Sequence, residues 1–444
     1  IMASLEEQLL RNSFTPIFMG AAGGSSPFWM VLYGDSSSNK ATALDLDGSD
    51  NIVVVGTEIL KFAIDGSLTF QKTLGGSVLY DTQGVAVDSN GNIFIPSAAG
   101  GFEGSYDAIT LKYNSSGVQQ WGKAYGQTSL DMNLAIALDS SGNNYNVGLM
   151  RNSINNKSAM LKYNSSGAAQ WRKSLQWASS DSHGAAYAVS IDSSGNIVYG
   201  GYVGPISGEY PGGLHKVNSS GDLQYSKKIT DGTSISIRGL ASDGSGNTYA
   251  AAWVEGISPA SGVKQGVVAK FNSSAAAQWG RKVSVNFSGT YKPVFFYGCA
   301  LDSSDNLYVV GHAADTNDVT SGYIFKYNSS GAIQWQRRIG TGSTTGLRGV
   351  KVTSEDNIVV AGYINGVGSG NNDYFVAHLA SDGSGTGTYA SDITYESSSL
   401  TDAAQSYTVA DYGYPFTDMD ADETNISSSI IADVNLSSSL YSIS

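Results

Sequence analysis

The chain is poor in the residues that build several common kinds of site. Its 444 residues include one cysteine, Cys299, and four histidines. An intrachain disulfide framework and a Cys-rich zinc site are therefore excluded, and there is little material for a His-based metal centre. Only eight prolines stand against 54 glycines. Many glycines with few prolines indicate many tight turns between ordered strands, so the composition predicts an all-β protein.

Charge is also sparse, and acidic residues outnumber basic ones. Charged residues make up 14% of the chain, and 25 basic residues against 38 acidic ones give a net charge of −13. Because nucleic-acid binding depends on clustered Lys and Arg, we expect no nucleic-acid partner. No stretch approaches the roughly 18 apolar residues that cross a bilayer, so we expect no membrane insertion. The N-terminal residues lack the basic start and apolar run of an export signal.

Two short motifs recur along most of the chain. The first reads apolar–Asp–small–small–Gly or Asp–Asn–apolar, as in residues 87–93, and the second reads Lys-Tyr-Asn-Ser-Ser-Gly-x-x-Gln-Trp, as in residues 112–121. Copies of the first motif contain Asn51, Asn92, Asn143, Asn196, Asn247, Asn306 and Asn357, a mean period of 51 residues. Copies of the second begin at Lys61, Lys112, Lys162, Lys216, Lys270, Lys326 and, in degenerate form, His378. Each motif therefore occurs seven times.

Each motif predicts a hairpin turn. Apolar residues alternate on both sides of residues 88–92, whose Asp, Asn and Gly tolerate the left-handed backbone of a tight turn. In the second motif, Gly117 suits a left-handed position that closes the turn. Two hairpins per period make four strands, the content of one propeller blade. The sequence therefore predicts an all-β, seven-bladed β-propeller with four antiparallel strands per blade over residues 28–395.

The repeats resemble a known family. Residues 191–201, Ile-Asp-Ser-Ser-Gly-Asn-Ile-Val-Tyr-Gly-Gly, are followed at residues 216–221 by Lys-x-Asn-Ser-Ser-Gly. This pattern resembles the seven-bladed β-propeller repeat proteins of the SBBP type, which are NHL-like in blade layout. Proteins of this kind include bacterial surface and exported proteins and structural proteins of tailed phages, marine ones in particular. The Gly-His and Trp-Asp signatures of WD40 blades are missing.

Ring closure has two alternatives. The fourth strand of each blade is expected to carry an aromatic residue and, four positions later, an apolar or aromatic one, as in Trp121 and Tyr125. Eight segments fit this pattern, but seven blades need only seven fourth strands. Either residues 28–33 complete the last blade, or residues 387–395 do. The Trp-x-x-x-Tyr-Gly that begins at Trp29 matches residues 121–126 and favours the N-terminal strand.

Two segments lie outside the predicted ring. In residues 1–27, leucines at helical spacing behind Ser4 predict a short amphipathic helix, and residues 20–27 form a Gly/Ser linker. We expect this arm to dock on another protein through Leu5, Leu9, Leu10 and Phe14. Residues 396–444 are Ser-rich and acidic, with some alternation of apolar residues. We expect them either to be disordered or, as the alternation favours, to add strands to a partner's sheet edge.

The repeated polar and aromatic residues have structural explanations. The Asp of each first motif predicts a hydrogen bond within the turn rather than a catalytic carboxylate. The outer-strand tryptophans are expected to pack between blades rather than to stack on sugars; they are Trp121, Trp171, Trp279 and Trp335. Residues 45–50 and 418–422 have the acidic spacing of a calcium loop, but the required glycine and glutamate are misplaced. We expect no metal and no cofactor.

Candidate binding residues lie in the loops that differ between blades. In a propeller, the turns after the first and third strands share one face, and the loops after the second and fourth strands share the other. The turns here are uniform, whereas the loops are long and aromatic, as binding loops normally are, although tolerated insertions are the alternative. The candidates are Trp177, Tyr210, Trp253, Phe287, Tyr291 and Phe296. Aromatic rings stack on sugar faces, and the acidic balance disfavours anionic ligands, so we expect a neutral glycan or a protein receptor.

Three functions remain open. The favoured one, which rests partly on the resemblance, is a non-enzymatic virion component of a tailed phage, in the tail, a fibre or a decoration, present in multiple copies. The second is an extracellular or cell-surface bacterial propeller that binds carbohydrate or protein. The third is a propeller lyase or glycosidase, which needs a central cluster of His, Arg and carboxylates. Ser182 and His183 give no support to nucleophilic catalysis, because neighbouring residues of a strand cannot face one another.

Overall fold

The computed structural model describes residues 15–19, 28–34, 39–74, 82–100, 106–126, 130–152, 155–175, 182–205, 210–257, 262–367, 372–389, 393–405, 407–411, 416–418, 432–433 and 440–441. In these ranges the chain forms a seven-bladed β-propeller, and each blade contains four antiparallel strands. The predicted fold is thereby confirmed. None of the described residues forms a helix, so none of them provides a membrane-spanning helix. The helix predicted near the N-terminus, with Leu5, Leu9, Leu10 and Phe14, lies outside the described residues.

The first four blades follow the chain, with strands ordered from the central channel outward. Blade 1 contains Ala43–Leu46, Ile52–Val55, Glu58–Phe62 and Leu68–Thr73. Blade 2 contains Ala86–Val87, Ile93–Gly100, Tyr106–Tyr113 and Gln119–Tyr125. Blade 3 contains Asp131–Leu138, Asn144–Asn152, Asn155–Tyr163 and Ala169–Leu175. Blade 4 contains Ser182–Ile191, Ile197–Pro205, Gly212–Val217 and Leu223–Thr230.

The remaining blades follow the same plan, except that blade 7 takes its fourth strand from the N-terminal part of the chain. Blade 5 contains Ser234–Ser242, Thr248–Glu255, Gln265–Phe271 and Ala277–Phe287, with a short hairpin strand Thr290–Lys292. Blade 6 contains Val294–Leu301, Leu307–Ala314, Thr320–Tyr327 and Ile333–Gly340. Blade 7 contains Thr345–Val352, Ile358–Ile364, Asp373–Leu379 and Phe28–Tyr33.

The ring is closed by the N-terminal strand. Phe28–Tyr33 pairs antiparallel with Asp373–Leu379, and the indole N–H of Trp29 donates to the Ile64 carbonyl of blade 1 at 2.8 Å. The favoured alternative is therefore confirmed. Gly387–Tyr389 instead forms a hairpin with Ile393–Ser397, and this hairpin extends blade 6. The repeat pattern failed at residues 387–395 because Tyr389 and Ile393, which imitate the outer-strand spacing, belong to two strands that pair with each other.

The described strands of the C-terminal segment lie on the outer edges of the blades and add a fifth strand to successive blades in reverse order. Its strands are Ile393–Ser397 on blade 6, Thr401–Ala404 on blade 5, Thr408–Asp411 on blade 4, Phe416–Asp418 on blade 3, Ala432–Asp433 on blade 2 and Leu440–Tyr441 on blade 1. Blade 7 receives Thr15–Met19, which pairs with Phe28–Tyr33. These seven strands are termed the belt. The sequence led us to expect a partner's sheet edge, but the edges that the belt joins belong to the same chain.

The register of the belt pairs acidic residues with basic residues of the neighbouring strands. The register places an acidic belt residue opposite a basic residue of the fourth strand in four blades: Lys123 and Asp433, Lys173 and Asp418, Lys227 and Asp411, Arg338 and Glu396. In blade 5 the guanidinium of Arg281 donates to the Asp402 carboxylate. Opposite-charge pairs on adjacent strands stabilise antiparallel pairing. The acidic composition of the C-terminal segment therefore suits the basic fourth strands that it covers.

The outer-strand tryptophans join neighbouring blades. Their indole N–H groups donate to turn carbonyls of the next blade: Trp121 to Ser165, Trp171 to Ser219, Trp279 to Ser329 and Trp335 to Ser381, at 3.0–3.3 Å. The turn glycine of the next blade lies against the same ring. At Gly331, where φ is +81°, an added Cβ would lie 2.6 Å from Cδ2 of Trp279. The predicted packing role of these tryptophans is confirmed.

The repeated Asp residues hold the turns. In blade 4, one carboxylate oxygen of Asp192 accepts hydrogen bonds from the backbone N–H groups of Ser194 and Asn196, each at 2.9 Å. The other oxygen lies 2.6 Å from Nζ of Lys216, which belongs to the second motif. The predicted hydrogen bond of the Asp within its turn is confirmed, and the ion pair with Lys216, which was not predicted, joins the two motifs.

Candidate functional site

The candidate site lies in the central channel, at its opening on the face that carries the loops after the second and fourth strands. This face is termed the loop face. The first strands of all seven blades line the channel, which has a volume of about 430 Å³. Its cationic side chains are Lys40, Arg238, Arg348 and Lys351, and none of the described residues that line it is Asp or Glu. The channel wall is therefore basic in a chain whose net charge is −13.

A β-bulge supplies the residues of the channel wall. The pairing of the first and second strands shifts at one constant position in blades 3–7, and the extra residues are Leu134, Tyr187, Arg238, Tyr297 and Arg348. A bulge redirects a side chain from the regular alternation of the strand. In blades 4–7 the extra residue lines the channel. At the bulge the first strand comes so close to the second strand that only a small residue fits there. At Gly311 of the second strand, an added Cβ would lie 1.8 Å from the Phe295 carbonyl oxygen.

Tyrosine and arginine alternate around this part of the ring. The Cζ atom of Arg238 lies 3.7 Å from the ring centroid of Tyr187, and that of Arg348 lies 3.8 Å from the centroid of Tyr297. In blade 1, Nζ of Lys40 lies 4.8 Å from the ring centroid of Tyr363. Cations over aromatic faces are held by the ring quadrupole. Each guanidinium is thereby fixed in position without an acidic partner.

The two arginines keep their hydrogen-bonding edges unoccupied within the described part of the chain. Neither Arg238 nor Arg348 forms an ion pair there, and Nε of Arg238 is buried without an acceptor. Stacking occupies the flat face of a guanidinium and leaves its in-plane N–H groups available for a carboxylate or another oxyanion. Lys351 differs, because Asp45 lies 2.8 Å away and its negative charge raises the pKa of this lysine. The uncompensated positive charge therefore belongs to Arg238, Arg348 and Lys40.

An aromatic pocket adjoins the channel and shares Arg238 with it. Tyr202, Tyr210 and Trp253 line this pocket together with Ser234–Ser236, and its volume is about 240 Å³. The rings of Tyr202 and Tyr210 meet edge to face with centroids 5.7 Å apart. Nζ of Lys264, which does not line the pocket, lies 4.5 Å from the Trp253 centroid. A ligand could therefore contact aromatic faces and the Arg238 guanidinium at the same time.

Two titratable groups near the channel are held in their neutral forms. Burial, aided by the positive charge of Arg348, lowers the pKa of His312 to about 3. Its ring packs against both Phe295 and Tyr297, with centroids 5.2 and 5.3 Å away. Burial raises the pKa of the Cys299 thiol to about 12. At neutral pH the site therefore offers cations and aromatic faces rather than a thiolate nucleophile or an imidazolium acid. No group of three or more His, Cys, Asp or Glu is placed to hold a metal ion in the described ranges.

Two of the aromatic residues predicted from the sequence come together in the site. Tyr210 and Trp253, from blades 4 and 5, line the same pocket. Phe296 is fully buried on the first strand of blade 6, with its ring 5.2 Å from Phe325, so it is a core residue and not a loop tip. The prediction for Phe296 is wrong because the loop ends two residues earlier, at the strand that begins with Val294.

The other predicted residues lie elsewhere. Phe287 and Tyr291 lie on the hairpin between blades 5 and 6, and 40% of Phe287 is exposed. Trp177 is outside the described residues. The sequence reasoning missed Arg238 and Arg348, although a signal exists in the aligned repeats. Five positions before the first-motif Asp, or its Thr353 equivalent in blade 7, the repeats carry Thr42, Gln83, Leu134, Tyr187, Arg238, Tyr297 and Arg348, while the next position is always Gly or Ala.

Comparison with known proteins adds solved structures of low similarity. No protein-family model matches the chain, and no curated protein matches it. One similar structure is Sqt1 from Chaetomium thermophilum, 12% identical, with a TM-score of 0.45 and coverage of 83% of this chain and 93% of that one. Another is a luciferin-regenerating enzyme, 14% identical, with a TM-score of 0.39 and coverage of 68% and 94%. A glucose dehydrogenase is 11% identical, with a TM-score of 0.39 and coverage of 78% and 98%.

Proposed function

We propose that this chain is a non-enzymatic interaction protein that binds its ligand on the loop face. The observation that carries the proposal is the aromatic pocket of Tyr202, Tyr210 and Trp253, which opens beside the channel and shares Arg238 with it. Aromatic faces next to a hydrogen-bonding cation give both contact area and orientation to a bound molecule. The neutral states of His312 and Cys299 support binding rather than nucleophilic chemistry.

We further propose that the protein works on the virion of a tailed phage, in several copies, and contacts other virion proteins or a host surface. The support is the resemblance of its repeats to those of phage structural proteins. Attachment to the particle is assigned to residues 1–14, because the following strand Thr15–Met19 is occupied in pairing with the propeller. Proteomic analysis of purified particles, with and without residues 1–14, tests this placement. Loss of the chain from particles on deletion is expected, and unchanged incorporation contradicts it.

Adsorption of the purified protein to host cells tests binding on the loop face. Trp253→Ala removes the largest ring of the aromatic pocket, and we expect adsorption to fall at least about tenfold, as for a buried aromatic anchor at an interface. Leu223→Ala is the matched control, because Leu223 is an exposed apolar residue beside a turn of the opposite face. Thermal unfolding verifies that both variants are folded. Equal adsorption of the two variants would exclude the aromatic pocket as the binding site.

A further inference from the structure

We infer that the channel opening and the aromatic pocket together bind a saccharide that carries an oxyanion, a carboxylate or a sulfate. This inference deepens the proposed function, because it names the ligand class of the same face. The oxyanion would bind to the guanidinium groups of Arg238 and Arg348. A sugar ring would occupy the aromatic pocket beside them.

The arginines carry the first step. Both guanidinium groups are stacked on tyrosines of the preceding blades, at 3.7 and 3.8 Å, and no described acidic residue pairs with either. Their orientation is therefore set before any ligand arrives, and the in-plane N–H groups present the fork that matches a carboxylate or sulfate. Nε of Arg238 is buried and has no acceptor, so an incoming oxyanion would bind the other N–H groups of this partly exposed side chain.

The aromatic pocket carries the second step. Arg238 lines both the channel and the pocket, so an oxyanion at this residue leaves the rest of its molecule next to Trp253 and Tyr210. A volume of about 240 Å³ accommodates one or two sugar rings rather than a folded partner. Aromatic rings bind the apolar faces of sugars, while sugar hydroxyl groups would reach Ser234 on the pocket wall.

The distribution of charge argues for a small anion and against a nucleic acid. A phosphate backbone needs a row of Lys and Arg along an extended surface. Here the unpaired cations that line the channel, Arg238, Arg348 and Lys40, are grouped around its wall and form no extended row, and the net charge of −13 repels a polyanion. The expectation of a neutral ligand rested on that overall charge. For a ligand that reaches the channel, the local positive charge of Arg238, Arg348 and Lys40 favours an anion instead.

A glycan array with matched neutral, carboxylated and sulfated saccharides tests the inference on the full chain. We expect signal on the oxyanion-bearing members only, decreasing as salt concentration rises. Arg238→Gln and Arg348→Gln should each reduce the signal about 10- to 100-fold, the loss expected for a hydrogen bond to a charged group. The conservative Arg238→Lys keeps the charge without the planar fork and should recover part of the signal. Lys228→Gln is the charge-matched control on an outer strand and should have no effect.

The outcomes separate this inference from the proposed function. The carboxylated and sulfated arms identify which oxyanion is preferred, and either result supports the inference. Equal signal on neutral and acidic members, unchanged binding by both arginine variants, or no signal on any acidic member would overturn it. Host-cell adsorption that depends on Trp253 would, in each of those cases, leave the proposed function standing. Thermal unfolding of each variant separates a loss of binding from a loss of fold.

Discussion

The guanidinium of Arg238 lies against the ring of Tyr187, with Cζ 3.7 Å from the ring centroid. The two residues occupy the same bulge position in neighbouring blades. A regular repeat thus places two variable side chains in contact, and the contact holds a cation at the channel opening. Replacement of the repeated turns would change the fold, whereas replacement at the bulge position changes the chemistry of the channel.

Gly331→Ala should destabilise the protein more than Gly195→Ala. Both glycines have positive φ, +81° and +76°, so both substitutions strain the backbone. At Gly331 the added Cβ also meets the Trp279 ring at 2.6 Å, whereas at Gly195 no atom lies within 4 Å. The steric conflict should add about 1–3 kcal/mol to the free-energy loss. Chemical denaturation of the two variants gives the difference, and equal losses would refute the inter-blade contact.

The chain contains a natural counterpart to this experiment. Blade 4 carries Tyr225 and blade 1 carries Phe70 where the other blades carry Trp, and the turn of blade 5 carries Ala275, with φ of +63°, where other turns carry Gly. Both residues belong to the same hydrophobic cluster. The larger turn residue therefore occurs opposite a ring smaller than Trp, as the contact between Gly331 and Trp279 predicts, although a smaller ring does not require it, because Phe70 faces Gly117.

Trp29→Phe should weaken ring closure. The substitution removes the hydrogen bond from the buried indole to the Ile64 carbonyl, a loss of about 1 kcal/mol. Trp121→Phe is the matched control, because its indole makes a longer bond, 3.3 Å, between two blades that are consecutive in the chain. We expect a larger decrease in melting temperature for Trp29→Phe. A larger decrease for Trp121→Phe would contradict the assigned closure.

Truncation after residue 400 should promote self-association. It removes the belt strands from blades 1–5 and exposes the edges of their fourth strands, which are templates for pairing with another chain. Light scattering coupled to size-exclusion chromatography should show larger species than the full chain at equal concentration. A second variant of the full chain, with Asp411→Asn, Asp418→Asn and Asp433→Asn, keeps the segment but removes three of its negative charges. Its melting temperature should be lower than that of the wild type, and the size of this decrease should depend on the salt concentration. The same mass for truncated and full chains would show that the belt does not protect the edges.

Acid should destabilise the turns through Asp192. Burial alone would raise the pKa of this carboxyl, but hydrogen bonds from Lys216 and Asn196 outweigh it and hold the pKa below 3.8. A carboxyl whose pKa is lower in the folded than in the unfolded state stabilises the fold at pH values above its unfolded pKa. This stabilisation is lost as the pH falls through the folded pKa. Asp192→Asn should therefore be less stable than wild type at pH 7, and the difference should shrink below about pH 4. A difference that is constant with pH would show that the charge is not involved.

The blade count could be predicted from the sequence because turns are local. Asp192 and Gly331 act on atoms a few residues away or on the next repeat, so their pattern survives in the sequence as a period. The belt could not be predicted in the same way. Its strands pair with strands that are distant in the sequence; Asp433, for example, lies opposite Lys123. No turn motif in the sequence indicates that pairing.

The site was predictable only in part. Tyr210 and Trp253 were found because they interrupt the repeats as loop aromatics. Arg238 and Arg348 were missed because they lie within a regular strand, and the bulge that turns them toward the channel is a backbone irregularity. Phe296 was misassigned because three aromatic residues in succession at 295–297 conceal which side of the strand each one occupies.

The most direct measurement of the central claim is a crystal structure of the full chain with bromide or iodide, whose anomalous scattering locates bound anions. The account predicts that the strongest halide peak lies at the in-plane N–H groups of Arg238 and Arg348, at the channel opening. It also predicts that the peak disappears in the variant with Arg238→Gln and Arg348→Gln. Carboxylates of the protein in contact with both guanidinium groups, with no halide at the opening, would contradict the claim that this channel binds an anion.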